Sequence, residues 1–144
     1  MKNKFGISLL LLAIALCLFA INANKRHYTD GVFTGESQSH YTSEPYWGQA
    51  RVEIKDDRII SLSFQIIDKD KNEIFGPDYE RHFKDNPNYA EQCRNEVKAI
   101  KVYRENYLKT KDMKQVDAIT GATWSYNIFR DALNVALEKA KKKF

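Results

Sequence analysis

Residues 50–66 read Ala50-Arg51-Val52-Glu53-Ile54-Lys55-Asp56-Asp57-Arg58-Ile59-Ile60-Ser61-Leu62-Ser63-Phe64-Gln65-Ile66, and this stretch decides the fold. Ala50, Val52 and Ile54 alternate with Arg51, Glu53 and Lys55. That is the period of a strand with one buried face. Asp56-Asp57 marks a tight turn. Ile60, Leu62, Phe64 and Ile66 then alternate with Ser61, Ser63 and Gln65, the pattern of a return strand in a hairpin.

Working outward toward the N-terminus, His40 to Trp47 is polar and aromatic and holds Pro45, so it reads as a loop. Val32-Phe33-Thr34 is a short strand between Gly31 and Gly35, each able to turn the chain. Toward the C-terminus, Asp68 to Asn88 is charged and contains Pro77 and Pro87, and reads as an excursion with little regular structure. Asn86-Pro87 is a helix start, with Pro at the first helical position. Tyr89, Cys93, Val97, Ile100 and Tyr107 follow at helical spacing, while Glu91, Arg94, Lys98 and Glu105 face water. A basic turn from Lys109 to Lys114 ends this helix, and Met113 to Ile119 reads as one more short strand. In the last helix Phe129, Ala132, Leu133, Ala136, Leu137 and Ala140 form one apolar stripe, opposite Arg130, Asp131, Asn134, Glu138 and Lys139. Hairpins first and helices afterwards predict an α+β domain, an antiparallel sheet packed against helices.

Immediately before that helix stands Asp117-Ala118-Ile119-Thr120-Gly121-Ala122-Thr123-Trp124-Ser125. A helix start presents unpaired N–H groups and the positive end of the dipole, where a phosphate is well received. Gly121 and Ala122 let a phosphate ester approach the backbone, and Thr120 and Ser125 offer hydroxyl donors to it. A plainer reading of the same residues makes Thr123 or Ser125 the N-cap of the helix.

The stretch resembles the flavinylation motif of the FMN-binding domain family, D-x-x-[ST]-G-A-[ST]-x-[ST]. Asp117, Thr120, Gly121, Ala122, Thr123 and Ser125 meet every fixed position. Tyr28 to Gly35 is similar to the family's opening strand, D-G-x-Y-x-G, and Gln49 to Ile67 to its central hairpin. The resemblance implies FMN as cofactor, held by a phosphoester on Thr123 and installed from FAD by a separate flavin transferase. It also implies a membrane or surface redox partner. Asp117 would then orient or be recognised, and Trp124, Tyr46 or Trp47 would cover a flavin face. Two features depart from the pattern: Tyr126 stands where another small hydroxyl residue is common, and the Asp68–Asn88 insertion has no counterpart.

Around Thr123 the sequence shows no nucleophile–base pair of its own, since His27, His40 and His82 are distant. No catalytic residue and no metal ligand set is therefore assigned. The protein reads as the substrate of the transferase and then as an electron carrier, with FMN supplying the redox chemistry. A module holding flavin non-covalently, or a flavin-free envelope-binding module, is the alternative. A small oxidoreductase with its own soluble substrate is a third, although no G-x-G-x-x-G fingerprint is present.

Lys2 and Lys4 precede an apolar run from Ile7 to Ile21 broken by Ser8, so residues 1–23 read as a signal peptide cleaved after Ala23 or as a retained anchor. Leu16 before Cys17 argues against lipidation. Residues 24–144 would form one FMN-binding domain outside the cytoplasm, in the periplasm or on the outer face of the membrane. With Cys93 alone in it, that domain forms no internal disulfide, and the thiol is expected in the core. Lys2 and Lys4 carry two of the four net positive charges, so the remainder is close to balanced. Nucleic-acid binding, which needs a clustered basic face, is not expected. The Lys139–Lys143 cluster complements the dipole at a helix end.

Overall fold

The computed structural model describes residues 27–40 and 43–142. The expected signal or anchor at 1–23 lies outside the described residues. Four strands form an antiparallel sheet in sequential order: β1 (Gly31–Gln38), β2 (Tyr46–Lys55), β3 (Arg58–Asp68) and β4 (Glu73–Ile74). Two α-helices follow, α1 (Pro87–Thr110) and α2 (Thr123–Ala140). The class is α+β, with one sheet face covered by helix.

The β2–β3 hairpin turns through Asp56 and Asp57, both with positive φ (51° and 64°). Lys55 pairs Arg58 across them, so this is a two-residue loop whose twist matches the strands. Its register holds one surprise. Glu53 pairs Ser61 and Ile54 pairs Ile59, leaving Ile60 as the extra residue of a β-bulge. The bulge turns Ile59 into the core and Ile60 outward, 54% exposed, reversing the expected assignment for that position. Beyond it the alternation is as read: Leu62, Phe64 and Ile66 are buried with Ala50, Val52 and Ile54.

β1 is longer than the three residues expected, and Gly35 lies inside it rather than at a turn. A Cβ at Gly35 would sit 2.1 Å from the Ala132 carbonyl oxygen and 2.4 Å from the Ala136 nitrogen. Here glycine allows the backbone of α2 to lie directly on the strand. α2 crosses β1 and β2, with Ile128, Phe129, Ala132, Leu133 and Ala136 fully buried beneath it. Burying a side chain the size of Phe or Leu contributes about 1.5–3 kcal/mol.

The 68–88 segment is more ordered than its composition suggests. It adds β4 to the sheet and a 3-10 helix over Pro77–Phe83, and Phe75 and Tyr79 are buried. Asp68 organises it. This carboxylate is wholly buried and accepts from the Asp70 and Lys71 amides (3.0 and 3.1 Å), from Lys71 Nζ (2.8 Å) and from the Tyr79 hydroxyl. Burial alone would raise its pKa, but the hydrogen bonds from Lys71 and Tyr79 outweigh it and the value falls below the ordinary one.

α1 starts where expected, with the Asn86 side chain accepting from the Tyr89 amide and Pro87 in the first turn, and ends on Lys111 in the left-handed conformation. Its buried stripe is Cys93, Glu96, Ala99, Tyr103 and Tyr107, rotated from the expected one. Tyr89 is exposed, and Val97 and Ile100 are only half-buried. No strand forms over 113–119. A 3-10 turn at Met113–Gln115 leads into irregular chain, anchored by buried Val116. No helix among the described residues is long and apolar enough to cross a membrane.

Candidate functional site

The 117–125 stretch is an exposed loop bent onto the start of α2. Gly121 has φ +80°, a conformation that side-chain-bearing residues rarely adopt, and nothing lies within 4 Å of where a Cβ would be. The loop is clamped from α1. The Tyr103 hydroxyl accepts from the Ile119 amide (3.0 Å) and donates to the Ala122 carbonyl (2.9 Å). The Ala122 amide closes a turn onto the Ile119 carbonyl (2.9 Å).

Thr123 is the first residue of α2 and is exposed. The N-cap is Ala122, whose methyl group can accept nothing, so neither Thr123 nor Ser125 plays that part. The capping acceptor comes instead from α1. Buried Glu96 accepts from the Ser125 amide (3.0 Å), from the Ser125 hydroxyl and from the Trp124 amide. Ser125 is consequently sealed in, its hydroxyl turned to Glu96 and to the Ala122 carbonyl (3.2 Å), away from the surface. On the sequence reading this hydroxyl donates to a phosphate; here it is given to Glu96. Burial raises the Glu96 pKa, partly offset by these bonds.

Two cavities meet at Glu96, Gln92 and Trp124. One, of about 450 Å³, contains Gly121 and Thr123 together with Asn88, Glu91 and Asn95. The other, of about 350 Å³, is an aromatic slot walled by Tyr46, Phe75, Phe83, Tyr89 and Trp124, with Glu44 and Cys93 on its lining. Trp124 is the shared wall. Its ring stands edge-on to Tyr46 (5.1 Å, 89°) and against Phe75 (5.2 Å). Its indole N–H donates to Glu44 Oε2 (3.0 Å) and Ser39 Oγ (3.2 Å). The Tyr46 hydroxyl meets that of Tyr79 (3.1 Å), linking the slot to the Asp68 cluster.

Of the residues expected at the site, the structure brings Gly121, Thr123 and Trp124 onto the cavity walls, with Tyr46 in the slot. Ala122 is buried behind them. Asp117 and Thr120 are exposed and line neither cavity. Trp47 lies away from the slot, with Lys69 Nζ 3.6 Å from its ring centre. None of His27, His40 and His82 lines the Thr123 cavity. Sequence reasoning missed Glu96, Tyr103, Glu44 and the slot rings Phe75, Phe83 and Tyr89. One signal was available: Glu96 interrupts the spacing Cys93, Ala99, Tyr103, Tyr107 with a charge on the buried stripe. Cys93 is buried as expected, and burial pushes its thiol up to about 11.

The residues present suit FMN. A cavity walled by aromatic rings accepts a planar ring system. It shares Gln92, Glu96 and Trp124 with the cavity that holds Thr123 at the start of α2.

The FMN-binding domain family matches residues 46–138. Among solved structures, the CPE2226 protein from Clostridium perfringens is similar in fold, with a TM-score of 0.58 at 19% identity, over 78% of this chain and 88% of that one. No curated protein matches. The family match spans most of the chain, from the start of β2 almost to the end of α2, and includes every residue lining the two cavities except Glu44. This chain belongs to the FMN-binding domain family, and its cofactor is FMN.

Proposed function

We propose that this protein is an extracytoplasmic electron carrier whose FMN is bonded covalently to Thr123. The observation that carries the reading is the place of Thr123: exposed, at the mouth of α2, on the wall of a cavity that joins the aromatic slot. A separate flavin transferase would install the group. Thr123 Oγ bonds to the flavin-side phosphorus of FAD, its proton passes to a base of the transferase, and AMP departs as the pyrophosphate bond breaks. Once bound, FMN supplies the electron chemistry, and this chain holds and orients it.

The lining of the two cavities favours a covalent bond over reversible binding. Glu44, Glu91 and Glu96 are on their walls, and no lysine, arginine or histidine is among the residues lining either one. A free FMN phosphate would carry nearly two negative charges into this acidic site without a cation to pair it. A diester on Thr123 carries one charge and cannot diffuse away. The apolar run at residues 7–21 supports export or anchoring, which is where a dissociable flavin would be lost by dilution. The partner is then a membrane or surface redox protein.

Co-expression with a flavin transferase tests the reading by intact mass. The wild-type protein should gain the mass of FMN less water, and Thr123→Ala should gain nothing. Equal masses for the two proteins would end the proposal.

A further inference from the structure

Among the described residues two carboxylates are buried, Asp68 and Glu96. They differ in kind. Asp68 has Lys71 against it, whereas Glu96 is held by dipoles: the Ser125 hydroxyl and the amides of Trp124 and Ser125. No lysine, arginine or histidine among the described residues pairs with it. Glu96 also sits where the Thr123 cavity and the aromatic slot meet, on the lining of both. Negative charge placed in either cavity therefore lies beside a buried carboxylate, whose own burial limits screening by solvent.

We propose that Glu96 is the proton-binding group of the flavin site, taking up a proton from solvent when negative charge is added at Thr123 or in the slot, and thereby setting the flavin's potential. The flavin part rests on the function proposed above; the coupling to position 123 does not. Two electrons delivered with one proton leave one added negative charge in the slot. The second proton goes to a Glu96 oxygen and neutralises the site. The groups around Glu96 offer it no competing cation. On α1 these are Cys93, Glu91 and the Tyr103 and Tyr89 hydroxyls; on α2, Ser125 and Trp124; on β2, Tyr46; in the preceding loop, Glu44. Phe83 faces it from the 3-10 helix. Burial already raises its proton affinity, in the sense the proposal requires.

The first measurement needs no flavin. The Glu96 carboxyl is titrated by carbon-13 NMR in Thr123→Glu and Thr123→Gln, which differ by one charge at the expected ester position. The Glu96 midpoint should lie about one pH unit higher with the charge present, a tenfold gain in proton affinity. Ser125→Ala keeps the carboxylate and removes a donor, so it should raise the midpoint as well. The second measurement uses protein shown by mass to carry FMN, titrated with dithionite across pH. Above the Glu96 midpoint, Glu96→Gln should favour the reduced form about tenfold over wild type, roughly 30 mV for a two-electron couple. The two curves should merge at acid pH. Equal Glu96 midpoints in the two Thr123 variants overturn the proposal, as do coincident potential curves at every pH. Failure of the protein to gain mass would remove the covalent reading and leave the first measurement to decide the role of Glu96.

Discussion

At the scale of single residues, the two buried carboxylates respond to acid in opposite senses. The Asp68 pKa is lowered in the folded chain, so its stabilisation is present above the unfolded value and is lost as pH falls through the folded one. The Glu96 pKa is raised, so its contribution is full below the unfolded value and is lost as pH rises through the folded one. Asp68→Asn is expected to cost about 1.5–3 kcal/mol at neutral pH, since it weakens charge-assisted bonds from Tyr79 and Lys71. That cost should begin to shrink below about pH 4, where the carboxylate of the unfolded chain takes up its proton, and should level off once pH falls through the lowered native pKa. Glu96→Gln should show the reverse trend, with a smaller penalty at neutral pH than the number of its hydrogen bonds suggests, because the neutral side chain avoids burying a charge. Urea unfolding of wild type and both variants across pH checks the two signs together.

At the scale of elements, the hold of α1 on the motif loop is specific enough to test. Tyr103→Phe removes one hydroxyl that serves both the Ile119 amide and the Ala122 carbonyl. The expected cost is about 1–3 kcal/mol, the range for leaving buried polar groups unpaired. Amide exchange at Ile119 and Ala122 should accelerate more than in the hairpin; uniform change across the domain would contradict a local clamp. The α2–β1 contact gives a second expectation. Gly35→Ala drives a methyl group into the helix backbone and should cost at least about 1–3 kcal/mol, read as a lower denaturation midpoint. Both elements were legible in outline. The α2 stripe was read correctly because every third or fourth residue is apolar and the spacing alone defines the face. The α1 stripe was misjudged because exposed Tyr89 satisfies the pattern while Glu96, charged, occupies the true face.

At the scale of the whole molecule, the two ends of the described fold are tied together. The Thr29 amide bonds to the Ala140 carbonyl (2.9 Å), the Lys142 amide to His27 (3.1 Å), and the Tyr28 amide to Asp57 Oδ1 (2.6 Å). The buried apolar residues of the described fold lie between Ala50 and Ala140. A protein beginning at Asn24 should therefore unfold at the same urea concentration as the full chain, and a clear loss of stability on removing residues 1–23 would show that they contribute to the domain.

What the sequence determined by itself was whatever depends on local period and local backbone chemistry. Strand alternation in β2 and β3, the Asp56-Asp57 turn, the Asn86-Pro87 helix start, the α2 stripe and the motif around Thr123 all follow from residues within a few positions of one another. Tertiary structure alone decided the rest. The bulge that reverses Ile59 and Ile60 depends on registry with β2. The capping of α2 by Glu96 joins residues 29 positions apart, and the Trp124–Glu44 bond spans 80. The aromatic slot draws its rings from β2, the 68–88 segment, α1 and α2. Ser125 shows the division most clearly: its place in the motif was plain from the sequence, but the carboxylate that takes its hydroxyl inward belongs to another helix.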